Sequence, residues 1–525
     1  MFYEAQSNST SHELYPPAFT LSAEYAERVS NSSIWQTFRD AGSTAIASFI
    51  VALIALVFVF SSQQFYHWFV IPVSICGVLM LKDVIEWLRS RNLFDPAGLV
   101  ALWGFHCFFT APLMHVALNY WLPDVAPPPD WRVWLGYMGF LNVAGLVCYE
   151  WCRRITFNER GAGSSAWLIN QNRFRIVAPI GILISTAAQA WVYHEFGGIS
   201  GYMDARLHDP KMFEGMGKIF MISESAPILV AFLALVHFRG RQIQWWKIGA
   251  ATMVLFAMQL VFGGLRGSRS EMVFVLFWVV GCVHLMIRPV PWKLIAAGCA
   301  FLAVFMYVYG FYKNMGSNFT EAFSDSASQS EMGRRTGRTW KMLVLGDLAR
   351  ADLQAFILYR LIDDPKDVAF AKGRTYMGSV ALLIPEFALP TKPETVAQEG
   401  TDIQFGSGAY LHGVWWSSRV YGLAGEAMLN FGPLSVPLIY GAFGLLMGWF
   451  RRFMGDLKPS DARILLIPFA IYMLVSTWGA DSDNLIFGMV KNGLIPFLVV
   501  WISSAKIAAV RNASAVPRLR SRIAT

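Results

Sequence analysis

Charge is scarce in this chain. Of its 525 residues only 15% are Asp, Glu, Lys or Arg, against 55% hydrophobic. A soluble globular domain carries about 25% charged residues, so an ordinary water-soluble fold is excluded. Cysteine is sparse too: Cys76, Cys107, Cys148, Cys152, Cys282 and Cys299 all fall within long apolar runs. None is placed to staple an external loop, so no disulfide framework is expected. Cys148 and Cys152 are one helical turn apart, but no polar cluster surrounds them, which reads as packing rather than a metal site. The pattern of a cleavable signal peptide is missing, because residues 1–42 are polar and mixed in charge and the first apolar run is long enough to span. No basic soluble face with interleaved aromatics is present, which excludes a nucleic-acid surface. No internal repeat is visible, and no soluble domain is expected at either end.

What the chain does have is long hydrophobic runs. A bilayer-spanning helix needs about 20 mostly apolar residues. That template predicts an all-α polytopic membrane protein of about twelve spans, near 43–60, 66–81, 97–118, 133–152, 174–195, 218–237, 245–264, 270–287, 292–312, 422–450, 462–480 and 486–508. The implied organisation is a polar segment 1–42, nine spans over 43–312, a large outer loop 313–421, three spans over 422–508 and a basic tail 509–525. Lys and Arg favour the stretches that lie inside if the N-terminus is inside, and the short outer loops are poorer in them. Both termini are therefore expected in the cytoplasm, and the net charge of +8 is a topology signal.

The stretch 313–421 is too long for a structureless loop, which points to a capping subdomain. Trp340, Val344, Leu348, Phe356 and Leu361 recur at near-helical spacing among charges, as in amphipathic helices. "YMGSVALLIPEFALP" is apolar but too short to span, which suits a re-entrant or interfacial element.

With this topology the intramembrane and membrane-edge charges gather on the outer side. They are Arg206, Glu224, Arg266, Arg269, Glu271, Arg419, Glu426 and Asn430, with Asp481 and Asp483 at the end of the eleventh span. A carboxylate in hydrocarbon costs roughly 2.5 kcal/mol or more, so it implies a partner or a task. Each residue has a plainer alternative. Arg266 and Arg269 can snorkel, Arg206 can be a solvated loop residue, and Glu426 can simply neutralise an arginine. Glu224 can be structural, His412 a satisfied loop histidine, and Asp481 and Asp483 helix or loop caps. Taken as a set, arginines suit a diphosphate, Tyr410, Trp415 and Trp416 can stack on sugar rings, and a carboxylate can act as general base on a hydroxyl. Glu426, Asn430 and Glu224 are the candidate catalytic residues, and Arg419 and His412 candidate substrate contacts.

At the same residues the chain resembles the Wzy-type O-antigen and exopolysaccharide repeat-unit polymerases. The resemblance is carried by "FDPAGLVALWGFHCFFTAPL" (94–113), "FGGISGY" (196–202), "RGSRSEM" (266–272), "IPEFALPTKP" (384–393) and "GEAMLNFG" (425–432), in that order, with the large loop before the last. It implies a GT-C-like, metal-independent glycosyltransferase of the bacterial inner membrane, without a cofactor and with its active site in the periplasm. Its substrates would be undecaprenyl-diphosphate-linked oligosaccharides, as donor and as acceptor, and a chain-length regulator and a flippase would be partners. The family's residues carry over to Arg206, Arg266, Arg269, Lys392 and Glu426, while Glu386 stands where a basic residue is expected. An O-antigen ligase shares the donor and is the nearest alternative; a lipid-linked oligosaccharide flippase or other transporter is an alternative without chemistry.

Overall fold

The structure, a computed structural model, describes residues 33–507 except 91, 122–124, 159–164, 209, 214, 267–268, 316–338, 364, 366–368, 386, 412–419 and 459. The described chain is almost entirely helical. Its first half runs through α1 (Ser33–Ser61), α2 (Val70–Ser90), α3 (Pro96–Ala117) and α4 (Trp131–Asn158). A short strand β1 (Ala166–Ile169) then precedes α5 (Gln171–Glu195) and α6 (Ile199–His208). Next come α7 (Gly217–Phe238), α8 (Trp245–Phe262), α9 (Arg269–Met286) and α10 (Trp292–Met315). The expected large loop holds α11 (Ala351–Ile362), α12 (Arg374–Ala381) and α13 (Val396–Phe405). The chain ends through α14 (Gly422–Phe431), α15 (Ser435–Asp456), α16 (Ile467–Ser476), α17 (Ser482–Ile502) and strand β2 (Ser504–Ile507).

Among the described residues, seven helices are long and apolar enough to cross a membrane: α1 from Asp40, α3, α5, α7, α8, α10 as far as Tyr312, and α17. Each coincides with an expected span. The other expected spans fall on helices that are shorter, as α9 and α16 are, or that carry more charge, as α2 and α4 do. Two expectations are corrected. The run 422–450 is not one helix: Gly432 takes φ +82, where a side chain is disfavoured, and Pro433 follows, so α14 stops at Phe431 and α15 starts at Ser435. The last span ends early, and β2 pairs antiparallel with β1, Ala166 opposite Ile507 and Ile169 opposite Ser504.

α7 is also interrupted, at Glu224–Ser225. Ser185 of α5 offsets the break, its Oγ donating to the Ser223 carbonyl and accepting from the Ala226 N–H, both at 2.8 Å. Without such a partner, backbone groups freed at membrane depth would be costly.

The helices pack around two aromatic centres. Trp478 is ringed by Phe108, Tyr149, Tyr440 and Phe443, and donates its indole N–H to the Val100 carbonyl at 3.1 Å. Trp278 packs on Phe232, Phe274 and Phe469 and donates to the Leu465 carbonyl at 2.6 Å. The α4–α15 contact is made by small residues. A Cβ on Gly444 would lie 2.3 Å from the Tyr149 carbonyl oxygen, and one on Gly448 2.5 Å from that of Arg153. Gly444 and Gly448 therefore let two backbones touch, as small residues do between membrane helices. Gly444→Ala should lower stability by about 1–3 kcal/mol, since backbone must shift to admit the methyl group. Gly455→Ala on the same helix meets nothing within 4 Å and is the control. Thermal unfolding of both proteins in detergent checks this, and equal melting temperatures would refute the close-packing account.

Candidate functional site

Among the described residues, Glu426, Asn430 and Asp481 gather in one cluster and Glu224, Arg266 and Glu271 in another, with α17 between them.

The first cluster is built on α14. Glu426 is buried, at 2% exposure, and makes no ion pair among the described residues. Its Oε1 accepts from the Thr375 hydroxyl at 2.9 Å and the Ser482 hydroxyl at 2.5 Å, and its Oε2 accepts from the Ser482 N–H at 2.7 Å. Ser482 is the first residue of α17, so the carboxylate meets the positive end of that helix. Among the described residues, hydroxyls and a helix N-terminus surround it and no arginine pairs with it; Arg419 lies outside them. Asn430 lies one turn on, as its spacing predicts, but does not touch the carboxylate. Its Nδ2 donates to Thr375 Oγ1 at 2.7 Å and to the Glu426 carbonyl at 2.9 Å, and its Oδ1 accepts from the Gly373 N–H at 2.8 Å. Thr375 thus links the two side chains.

Asp481 completes a reciprocal arrangement. Its Oδ1 accepts the N–H groups of Tyr421 (2.8 Å) and Gly422 (2.7 Å), capping α14, while Glu426 of α14 caps α17. Two helix starts are held together by two carboxylates. Asp483 accepts from the N–H of its own neighbour, Asn484.

The second cluster gathers at the break in α7. Glu224 Oε1 lies 2.7 Å from Arg266 Nη2, and its Oε2 lies 2.6 Å from Lys491 Nζ. Lys491 is also 2.9 Å from Glu271 Oε1, which accepts from Asn492 Nδ2 at 3.3 Å. Cations and carboxylates alternate along a chain that leads from buried Lys491 to Arg266, whose guanidinium lies 4.3 Å from the Phe220 ring centroid. Three successive carbonyls fix the turn that carries Arg266. Tyr309 donates to that of Gly264, Tyr312 to that of Leu265 at 3.2 Å, and Arg206 Nε to that of Arg266 at 2.7 Å. Arg206 has no carboxylate partner among the described residues, and its terminal nitrogens can donate to an anion.

Ser482 and Lys491 are nine residues apart on α17, about two and a half turns and roughly 13 Å along its axis. The clusters therefore face opposite sides of one helix. Arg269 begins α9. Lys392 is half-buried ahead of α13 and makes no ion pair among the described residues. His412 and Arg419 lie outside the described residues, as do Trp415, Trp416 and Glu386. Tyr410 is placed by its N–H, which donates to Asp402 Oδ1 at 2.9 Å.

Reading residue by residue overlooked Lys491, Thr375 and Ser482. Lys491 had a signal, since a lysine within an apolar run of spanning length marks a functional position by default. Thr375 and Ser482 had none, because serine and threonine are ordinary anywhere in such a chain. No group of three or more His, Cys, Asp and Glu side chains among the described residues has the arrangement to hold a metal ion. No protein-family model, no curated protein and no solved structure matches the chain.

Proposed function

We propose that this membrane protein is a glycosyltransferase that polymerises lipid-diphosphate-linked oligosaccharide repeat units, as its resemblance to the Wzy-type polymerases implies, on the periplasmic side of a bacterial inner membrane. The observation that carries the reading is Glu426. It is a buried carboxylate held by two hydroxyls and one backbone N–H, with no ion pair among the described residues. A carboxylate so placed can take the proton of an acceptor sugar hydroxyl. The hydroxyl oxygen then bonds to the donor's anomeric carbon as the bond from that carbon to the diphosphate oxygen breaks, and the diphosphate leaves with the electron pair. Arg206 and Arg266, across α17 from Glu426, are the cations suited to the diphosphate of a lipid-linked substrate, at the acceptor's end remote from the reacting hydroxyl.

A second reading is favoured by the other cluster. Lys491 lies in the middle of α17, and Glu224 at a break in α7, and buried charge beside broken helices is how transporters build their sites. A carrier of the same lipid-linked oligosaccharide would use Arg206 and Arg266 on the same diphosphate without chemistry at Glu426.

Incubating the purified protein with one lipid-linked repeat unit and separating the products on a gel distinguishes them. A ladder supports the polymerase and a single addition to lipid A-core supports a ligase. No product, together with translocation in vesicles, would overturn the polymerase in favour of the carrier.

A further inference from the structure

The four-charge chain at the α7 break contains a buried cation, Lys491, to which the polymerase reading gives no role. We propose that Lys491 is a positioning residue that sets the anion affinity of the Arg206–Arg266 pair by holding Glu224 partly away from Arg266. The inference rests on the reading that these arginines take the diphosphate.

Glu224 divides its carboxylate, one oxygen to Arg266 Nη2 at 2.7 Å and the other to Lys491 Nζ at 2.6 Å. Arg266 therefore meets only one edge of its partner and keeps other guanidinium donors for a second anion. Its plane is supported by Phe220, and its backbone is tied by Arg206. Lys491 is 3% exposed and too deep to meet a ligand itself, so its effect must pass through Glu224 and Glu271. It also sets the local charge. Arg206, Arg266 and Lys491 against Glu224 and Glu271 leave one net positive charge. Without Lys491 that charge is gone, and Glu224 is free to engage Arg266 with both oxygens. Both changes act against an incoming anion.

The expected consequence of Lys491→Met is weaker anion binding, by roughly tenfold or more for one charge lost several ångströms from the site. Activity should follow through KM, with kcat per folded molecule much less affected. Adding Glu224→Gln to Lys491→Met removes, with the one cation, the carboxylate that would otherwise engage Arg266. The net positive charge returns, and affinity should recover most of the loss. Lys491→Arg should stay near wild type.

The test uses the full chain purified in detergent and inorganic pyrophosphate as the probe, with thermal stabilisation read against pyrophosphate concentration. The wild type should be stabilised, Lys491→Met should need roughly tenfold more pyrophosphate, and the double variant should resemble the wild type. If Lys491→Met does not fold, the double variant carries the test, and a double variant as weak as one lacking Arg266 overturns the proposal. A wild-type response with an equal response from Lys491→Met overturns the role of Lys491 alone. No response from the wild type overturns the diphosphate site, and the proposal with it.

Discussion

Glu426→Gln should stop chain elongation, with kcat falling about a hundredfold or more, the usual scale for loss of a general base. Folding should hardly change, and the hydrogen-bond partners are the reason. Two of the three are hydroxyls, which can accept as readily as they donate, and the third is the Ser482 N–H. A glutamine can turn its carbonyl oxygen to that N–H and its amide nitrogen to the hydroxyl oxygens, so only the Thr375 hydroxyl hydrogen loses its acceptor. Glu426→Ala cannot, and leaving the Ser482 N–H and the Thr375 hydroxyl buried without Glu426 should cost about 1–3 kcal/mol per group. The competing account makes Glu426 only the cap that joins α14 to α17. Under it, the glutamine protein elongates chains normally while the alanine protein fails in proportion to its lost stability. Gel ladders compared at equal amounts of folded protein decide the matter, and a Glu426→Gln enzyme that still builds long chains would end the catalytic assignment.

The largest stability effect is expected at the opposite ends of the helices. Arg153 of α4 is 7% exposed, lies 2.8 Å from Asp83 Oδ2 of α2 and is paired with Glu150. Lys82 shares the same carboxylates, at 3.5 Å from Asp83 and 3.1 Å from Glu150. The Arg153 backbone is also the surface against which Gly448 of α15 rests. Arg153→Met would keep the stem that packs there and remove the charge, leaving Asp83 to Lys82 alone among the described residues while Glu150 keeps Lys82 and Arg154. Breaking a buried pair on one side costs about 3–5 kcal/mol, because the remaining charge stays uncompensated. Adding Asp83→Asn should return most of that loss, while the specific activity of the folded protein stays near wild type throughout. Thermal unfolding of the three proteins in detergent tests this, and a double variant no more stable than Arg153→Met would show that the pair is not the cause.

Several features were legible in the amino-acid order because they are local. A run of about 20 apolar residues satisfies its own backbone hydrogen bonds as a helix in hydrocarbon, with no information needed from elsewhere in the chain. The seven long apolar helices could therefore be located to within a few residues. The i,i+4 relation of Glu426 and Asn430 is likewise helical arithmetic, and they do lie one turn apart on α14.

What only the tertiary structure decided is which charges meet. Glu426 finds Thr375 and Ser482, which come from 51 and 56 residues away along the chain, and Glu224 finds Lys491. No local pattern encodes such pairings, because they arise where separate helices happen to cross. The breaks show both sides of this. Gly432 and Pro433 visibly interrupt a helix, yet their neighbours are so apolar that hydropathy alone reads one continuous span from 422 to 450. The break at Glu224 carries a proline three residues later, Pro227, at a position helices tolerate in their first turn, and it persists because Ser185 on another helix bonds the backbone groups it frees. Hydrophobic length determined that the chain enters a membrane; the packing of one helix, α17, determined that its polar residues form two sites.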